Sequence, residues 1–267
     1  MINVIVCGVA GRMGRRLSAL TLQSQDLRLV GGTEAAGNPA VGQDIGTLAG
    51  VGATGIKAMG SLDDIIASGD VVVDFTSPEA TLESARIAAA NGKAMVVGTT
   101  GLSAEQTGQF KETVSRIACV YAPNYSVGVN LLFKLAKEAA QTLGPGFDVE
   151  IIEAHHRFKK DAPSGTARRL AEAVAQGLSR DIEQVGVYGR KGMTGERTAE
   201  EIGIHAVRAG DIVGDHTVLF GGVGERIELT HRAQSRDTFA MGALRAVRFA
   251  AAAPPGLYDM QDVLGLQ

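Results

Sequence analysis

A short apolar run, Asn3–Cys7, leads without a break into Gly8-Val9-Ala10-Gly11-Arg12-Met13-Gly14, and the glycines open directly onto a helical pattern over Arg12–Gln23. Strand, glycine turn and helix in that order begin a β–α–β unit. Its strands must run parallel, because the helix carries the chain back along the sheet. The alternation continues through the first half of the chain. Short β-branched runs stand at Leu27–Gly31, Val71–Phe75, Ala94–Val97 and Ala118–Tyr121, with helical patterns at Pro78–Asn91 and Ala104–Arg116. These runs are apolar throughout rather than alternating, which is the pattern of strands buried on both faces. The helix ends carry matching signals: Ser77-Pro78 supplies an N-cap and a first-turn proline, Asn91-Gly92 a stop, and Ser103–Gln106 a capping box. Over Ala36–Gly60 the sequence is glycine-rich and weakly periodic, and no element is predicted there.

Near residue 126 the pattern changes. A helix over Val129–Leu143 leads through Gly144-Pro145-Gly146 into an alternating strand, Phe147–Ala154, and a second helix runs from about Thr166 to Leu178. Three strand-like stretches then follow with no helix between them, Ile202–Arg208, His216–Gly221 and Glu225–His231, before a last helix over Ser235–Ala252. Consecutive strands predict a mixed or antiparallel sheet. The expected architecture is therefore α/β: a Rossmann-type doubly wound parallel sheet plus a second, α+β domain with a mixed or antiparallel sheet. The pattern leaves open which domain takes the last helix.

Composition excludes several classes. A net charge of −3 over 267 residues, with 21% charged, offers no basic patch for nucleic acid or an anionic membrane. The only cysteines, Cys7 and Cys119, each sit in an apolar run, so they read as core residues and no disulfide framework is expected. No apolar run approaches the ~20 residues of a membrane helix, and the N-terminus lacks the basic and apolar regions of a signal peptide. A cytoplasmic chain is expected.

The glycine turn is suited to a dinucleotide. A helix N-terminus presents unpaired N–H groups and a partial positive charge to a pyrophosphate, and glycines let the phosphates come close. The spacing is GxxGxxG, with Ala10 where the middle glycine of the commoner GxGxxG would fall. Glu34, about 20 residues further on at the end of the second strand, is placed to accept from the adenosine ribose. Its neighbours Ala35 and Ala36 supply no cation for a 2′-phosphate, so NADH is expected to be preferred over NADPH, with Arg12 and Lys57 the cations that could still reach one. Gly98-Thr99-Thr100-Gly101 and Ala122-Pro123-Asn124-Tyr125 follow later strands, at the sheet edge where ligands of such folds bind, and could line the nicotinamide half.

The densest ionisable cluster is Glu153-Ala154-His155-His156-Arg157-Phe158-Lys159 at the end of a predicted strand. Adjacent side chains of an extended chain face opposite ways, so one histidine at most faces a given pocket directly. The pair lacks the further cysteine or histidine ligands of a zinc site nearby, and no metal is expected. Soon afterwards, Ser164 or Gly165 would cap a helix whose first N–H groups could receive a carboxylate. A His/Lys pair beside such a helix start suits reduction of a small anionic substrate, in which a hydride arrives and a proton must be supplied. A solvated basic loop followed by a plain N-cap is the competing reading of the same residues.

Glu153-Ala154-His155-His156-Arg157-x-Lys159-x-Asp161-Ala162-Pro163-Ser164-Gly165-Thr166-Ala167 resembles the signature of the 4-hydroxy-tetrahydrodipicolinate reductases. Gly11–Gly14, Asp74-Phe75-Thr76, Val97–Gly101, Asn124–Asn130, Arg208–Gly214 and Gly224-Glu225-Arg226 match in the same order, so the likeness spans essentially the whole chain. The resemblance implies NAD(P)H-dependent reduction of a cyclic dicarboxylate in lysine and diaminopimelate synthesis. It implies a dinucleotide-binding domain over residues 1–126, completed by 235–267, and a substrate and oligomerisation domain over 127–234 that builds a homotetramer. By the same resemblance His155 is the acid/base and Lys159 the proton donor, while His156, Gly165 and Thr166 hold the substrate carboxylate. Gly8, Val9, Ala10, Gly11, Arg12, Met13, Glu34, Gly98, Thr99, Thr100, Ala122, Pro123, Asn124 and Tyr125 are the implied cofactor contacts. Two departures stand out. Ala35 replaces the arginine that members with dual cofactor use often carry, and Pro123 replaces a small residue. The alternatives are another reductase on the same plan, such as a homoserine or aspartate dehydrogenase, and a nucleotide-sensing protein without turnover.

Overall fold

The structure, a computed structural model, describes residues 1–266. From the N-terminus the elements are β1 (Ile2–Cys7), α1 (Arg12–Leu22), β2 (Leu27–Thr33), α2 (Ile45–Ala49), β3 (Ala58–Met59), β4 (Val71–Asp74), α3 (Pro78–Ala90), β5 (Ala94–Val97), α4 (Ala104–Thr113) and β6 (Ala118–Tyr121). Then come α5 (Val127–Leu143), β7 (Asp148–His155), α6 (Gly165–Gly177), α7 (Ile182–Val185), β8 (Gly186–Tyr188), β9 (Ile202–Arg208), β10 (Gly214–Gly221) and β11 (Arg226–Ala233). The chain ends with α8 (Asp237–Ala250), β12 (Gly256–Tyr258) and α9 (Met260–Leu264). They form two compact units: Met1–Val127 with Arg236–Gln267, and Gly128–Ser235.

The first unit is a parallel sheet in the order β12-β6-β5-β4-β1-β2-β3. The order reverses between β1 and β4, and that switch point opens the crevice where such sheets bind ligands. The strands are buried on both faces. Val4, Val6, Val71, Val73, Val96 and Val120 face one core, which α1 and α8 complete; Ile5, Cys7, Val72, Met95, Val97 and Cys119 face the other, with Phe110 of α4 and Ala85 and Ala88 of α3. Both cysteines are free and buried. The caps form as their residue types dictate: Ser77 Oγ accepts from Ala80 N–H, and Ser103 and Gln106 make a reciprocal capping box.

Four elements of this unit were not expected, one of them the five-residue α9 that Asp259 caps. Both α2 and β3 lie in the stretch where periodicity was too weak for an assignment. Asp44 caps α2 and also receives the Thr54 and Gly55 amides, so a polar side chain rather than an apolar stripe organises this segment. The fourth is β12, three residues pairing with β6 at the sheet edge after α8. A strand that short carries almost no pattern.

The second unit is a mixed sheet in the order β11-β10-β7-β9-β8. Here β7 runs parallel to β9 and antiparallel to β10. Its inner face carries Val149, Ile151, Ile202, Ile204, Val218 and Phe220, packed against Leu132, Phe133 and Ala136 of α5 and Leu170, Ala171 and Val174 of α6. Strand alternation puts Ile152, Val207 and Leu219 on the opposite face, where Ile152 and Val207 are exposed. Among the described residues, no helix is long and apolar enough to cross a membrane.

Candidate active site

In the first unit, the carboxyl ends of β1, β2 and β4 surround a cleft of about 480 Å³. Gly8 turns the chain at φ +70°, and a Cβ on Gly14 would lie 2.0 Å from the Gly8 carbonyl, so helix and turn approach more closely than any side chain permits. The start of α1 has neither a side-chain cap nor an acidic residue in its first turn. An uncapped helix start beside a glycine turn fits a pyrophosphate. Glu34 lies over that turn: Oε2 accepts the Ala10 N–H at 2.9 Å and Oε1 the Ala35 N–H at 3.1 Å. A carboxylate oxygen can accept about two hydrogen bonds, so each keeps capacity for a ribose hydroxyl. The charged residues lining the cleft, Glu34, Asp63 and Glu83, are all acidic. Arg86 is held by Glu83 in a bidentate pair at 2.9 and 2.7 Å.

Of the remaining expected cofactor residues, Gly98 and Thr100 follow β5 and Pro123 and Asn124 follow β6, and the others fall into two groups. Gly8 and Gly11 line the cleft together with Glu34, and Arg12 and Met13 open α1. Val9 and Ala122 are buried in the core, where only their backbone is left to offer. Tyr125 too has only its backbone left to offer. Its ring is 1% exposed, 5.2 Å from Phe75, with its hydroxyl 2.8 Å from the Val97 carbonyl and 2.9 Å from the Val120 carbonyl; burial raises its pKa well above the ordinary phenol value. Thr99 is likewise turned inward, because its Oγ1 accepts the Thr76 N–H at 3.0 Å and meets Thr81 Oγ1 at 2.7 Å. These threonines gather on Asp74, whose Oδ1 accepts Thr76 Oγ1 at 2.6 Å and Thr81 Oγ1 at 3.1 Å. A buried carboxylate at the end of β4 thus ties together the loops that follow β4 and β5. Sequence reasoning also passed over Gly60–Asp63, Ser77, Ala80 and Ser84, which line the cleft from segments distant in sequence.

In the second unit the histidine segment lies at the end of β7, and its centre is Glu153. This side chain is fully buried. Oε2 lies 2.6 Å from His155 Nδ1 and accepts from Arg208 Nη1 at 2.8 Å; Oε1 accepts from Arg208 Nη2 at 2.8 Å and from the Ser164 N–H at 3.0 Å. Burial alone would raise the Glu153 carboxyl, but Arg208, His155 and the Ser164 amide together hold it below its ordinary value. Burial lowers His155, and the nearby Lys159 and Arg208 add to that against the opposing pull of Glu153, so the imidazole is neutral at pH 7.

Behind His155 stands His216, 3% exposed, its ring 5.2 Å away and edge-on. Burial, reinforced by His155, pushes His216 down to about 3. His216 Nε2 lies 3.1 Å from Ser164 Oγ, which also accepts the Ala167 N–H at 3.1 Å. Ser164, rather than Gly165, is therefore the cap of α6, and Gly165 and Thr166 form its first turn. Lys159 Nζ donates to Asp161 Oδ1 at 2.9 Å. His156 leaves the strand beside Phe158, with its Nδ1 buried and lacking a hydrogen-bond partner among the described residues. Arg208 opens one of the matching segments and His216 lies in a predicted strand, but their place around Glu153, 55 and 63 residues away in the chain, is visible only through strand pairing.

Comparison with known proteins agrees along the full length. The family model for the dihydrodipicolinate reductase N-terminus matches residues 2–125 and that for the C-terminus residues 128–264. Proteins named 4-hydroxy-tetrahydrodipicolinate reductase from Syntrophus aciditrophicus and Desulfotalea psychrophila are 51% and 52% identical over 267 residues, covering all of this chain and 100% and 99% of theirs. The solved structure of a dipicolinate-bound dihydrodipicolinate reductase from Paenisporosarcina sp. TG-14 superposes with a TM-score of 0.77 at 26% identity over 98% of each chain. An NAD complex of GenD2, at 14% identity and TM-score 0.62, shares the fold. The chain belongs to the dihydrodipicolinate reductase family.

Proposed function

We propose that the protein reduces 4-hydroxy-tetrahydrodipicolinate to tetrahydrodipicolinate with NAD(P)H, in lysine and diaminopimelate synthesis. The observation that carries this reading is the cluster at the end of β7: a half-buried histidine tied to Glu153 and held below its ordinary pKa, with Lys159 six residues ahead of α6, in a chain about half identical to reductases of that name. The first unit holds the dinucleotide and the second the dicarboxylate. The nicotinamide supplies a hydride. His155 and Lys159 handle the proton that accompanies it, while His156, Gly165 and Thr166 receive a carboxylate. Pro123 and Asn124 stand with Gly98 and Thr100 at the carboxyl edge of the sheet as backbone contacts for the cofactor.

NADH is the preferred cofactor. A 2′-phosphate would enter a cleft whose charged lining residues are all carboxylates. A Kd for NADPH more than tenfold below that for NADH would overturn this. The bare face of the five-stranded sheet, with Ile152 and Val207 exposed, suits burial against a second copy in a homotetramer, which a native mass measurement checks. The buried free thiols, Cys7 pushed up to about 12, suit a reducing, cytoplasmic setting.

NADH oxidation with freshly made substrate, against aspartate semialdehyde, tests the reaction. Activity with the semialdehyde alone would refute it. His155→Ala and Lys159→Ala should each lower kcat by roughly 10²–10⁴, and unchanged rates in both would remove their roles.

A further inference from the structure

We propose that Glu153 is the positioning residue of this site, fixing His155 as the Nδ1–H tautomer with Nε2 as the working nitrogen, and tying that ring to the start of the carboxylate-binding helix. The inference rests on the reaction proposed above, and the geometry that carries it is independent of that reaction.

Glu153 makes four hydrogen bonds, which fills the capacity of a carboxylate. Three of its partners are permanent donors: the two Arg208 nitrogens and the Ser164 N–H. An ionised carboxylate with no proton of its own can only accept, so the fourth partner, His155 Nδ1 at 2.6 Å, must donate. A neutral imidazole carries one N–H, and with that proton on Nδ1 the lone pair lies on Nε2. Nε2 lies on the side of Gly214, where a Cβ would stand 3.1 Å away, so a glycine at this position leaves that nitrogen unblocked by a side chain. Proton exchange with the substrate therefore runs through Nε2. When Nε2 takes a proton, the imidazolium is disfavoured by Lys159 and Arg208 and favoured by Glu153, while His216 remains neutral. The other oxygen of the same carboxylate holds the Ser164 amide, the residue that caps α6. One side chain thus sets both the proton-handling ring and the anion-binding helix start. Arg208, through both guanidinium nitrogens and a third bond to the Asp161 carbonyl at 2.7 Å, keeps it ionised and in place.

Glu153→Gln separates this role from a merely structural one. Ser164 N–H and Arg208 cannot become acceptors, whereas histidine can change tautomer. The amide oxygen stays with Ser164 and Arg208 Nη2, and the NH₂, at the cost of the bond from Arg208 Nη1, turns to His155, which must then accept at Nδ1 and carry its proton on Nε2. In ring-¹⁵N-labelled protein at pH 7.5, wild-type His155 should show a protonated Nδ1 and a bare Nε2, and the variant the reverse. With the Ser164 tie retained, substrate KM should move by less than about threefold while kcat falls roughly 10²–10⁴-fold, the scale of a wrong-tautomer defect. A wild-type His155 protonated at Nε2 would overturn the proposal whether or not the variant folds, and so would a folded variant with wild-type kcat. If the wild-type protein turns over no substrate, the proposed reaction fails, and the tautomer measurement still decides the role of Glu153.

Discussion

Replacing His216 with glutamine should flatten the pH dependence of stability between pH 7.5 and 5.0. In the folded chain His216 is 3% exposed and burial pushes its pKa down to about 3, whereas in the unfolded chain a histidine titrates near the ordinary value of about 6.5. Between those values the unfolded state binds one proton more than the folded state, so stability falls as the pH falls. The loss begins near pH 6.5 and grows by about 1.4 kcal/mol per pH unit until the folded pKa is reached. At pH 5.0 this one residue should have removed about 2 kcal/mol relative to pH 7.5, well before the carboxylates contribute much. Glutamine can still hydrogen-bond Ser164 Oγ, as donor or acceptor, but does not titrate. Urea unfolding of both proteins at the two pH values isolates the effect: the wild type should lose about 2 kcal/mol more than His216→Gln, while their difference at pH 7.5 reports only packing. His155 titrates in both proteins and largely cancels. Parallel losses, within about 0.5 kcal/mol, would show that His216 gains a proton in the folded state and would refute the burial argument.

Two further expectations concern the first unit. Ala35→Arg places a guanidinium beside Glu34 at the mouth of an acidic cleft, and a charge-assisted bond to a 2′-phosphate, worth about 1.5–3 kcal/mol, should tighten NADPH roughly 10–100-fold with little effect on NADH; fluorescence titration of both cofactors measures it, and a shift in their Kd ratio below about threefold would count against the electrostatic reading. Gly242→Ala puts a Cβ 1.7 Å from the Tyr125 carbonyl, backbone that cannot turn aside, so α8 must shift and stability should drop by about 1–3 kcal/mol or more; an unchanged melting temperature would mean that the helix sits more loosely than the packing shows.

Much of this protein is legible in local pattern. Strands buried on both faces, the glycine turn into α1, the caps at Ser77 and Ser103 and the helix start at Ser164 all depend on residues within a few positions of one another, and each appears close to its expected place. The histidine segment was visible for the same reason, since Glu153, His155, Lys159 and Ser164 lie within 12 residues of chain. The weakly patterned elements were not: α2 is held by Asp44, and β12 is three residues long. Tyr125 was placed beside the cofactor on its position in a loop, but no local feature says that its hydroxyl turns inward to the Val97 carbonyl.

The sequence alone determined the doubly wound first unit, a mixed or antiparallel sheet after it and the residue types of the site, because helix and strand periods, caps and glycine turns are short-range properties. Only the tertiary structure decided what those residues are at neutral pH. The bidentate hold of Arg208 on Glu153, the burial of His216 behind His155 and the acidic lining that surrounds Glu34 each join segments far apart in the chain. Ionisation state and tautomer depend on desolvation and on neighbours within a few ångströms, and these are set by packing, not by proximity along the chain.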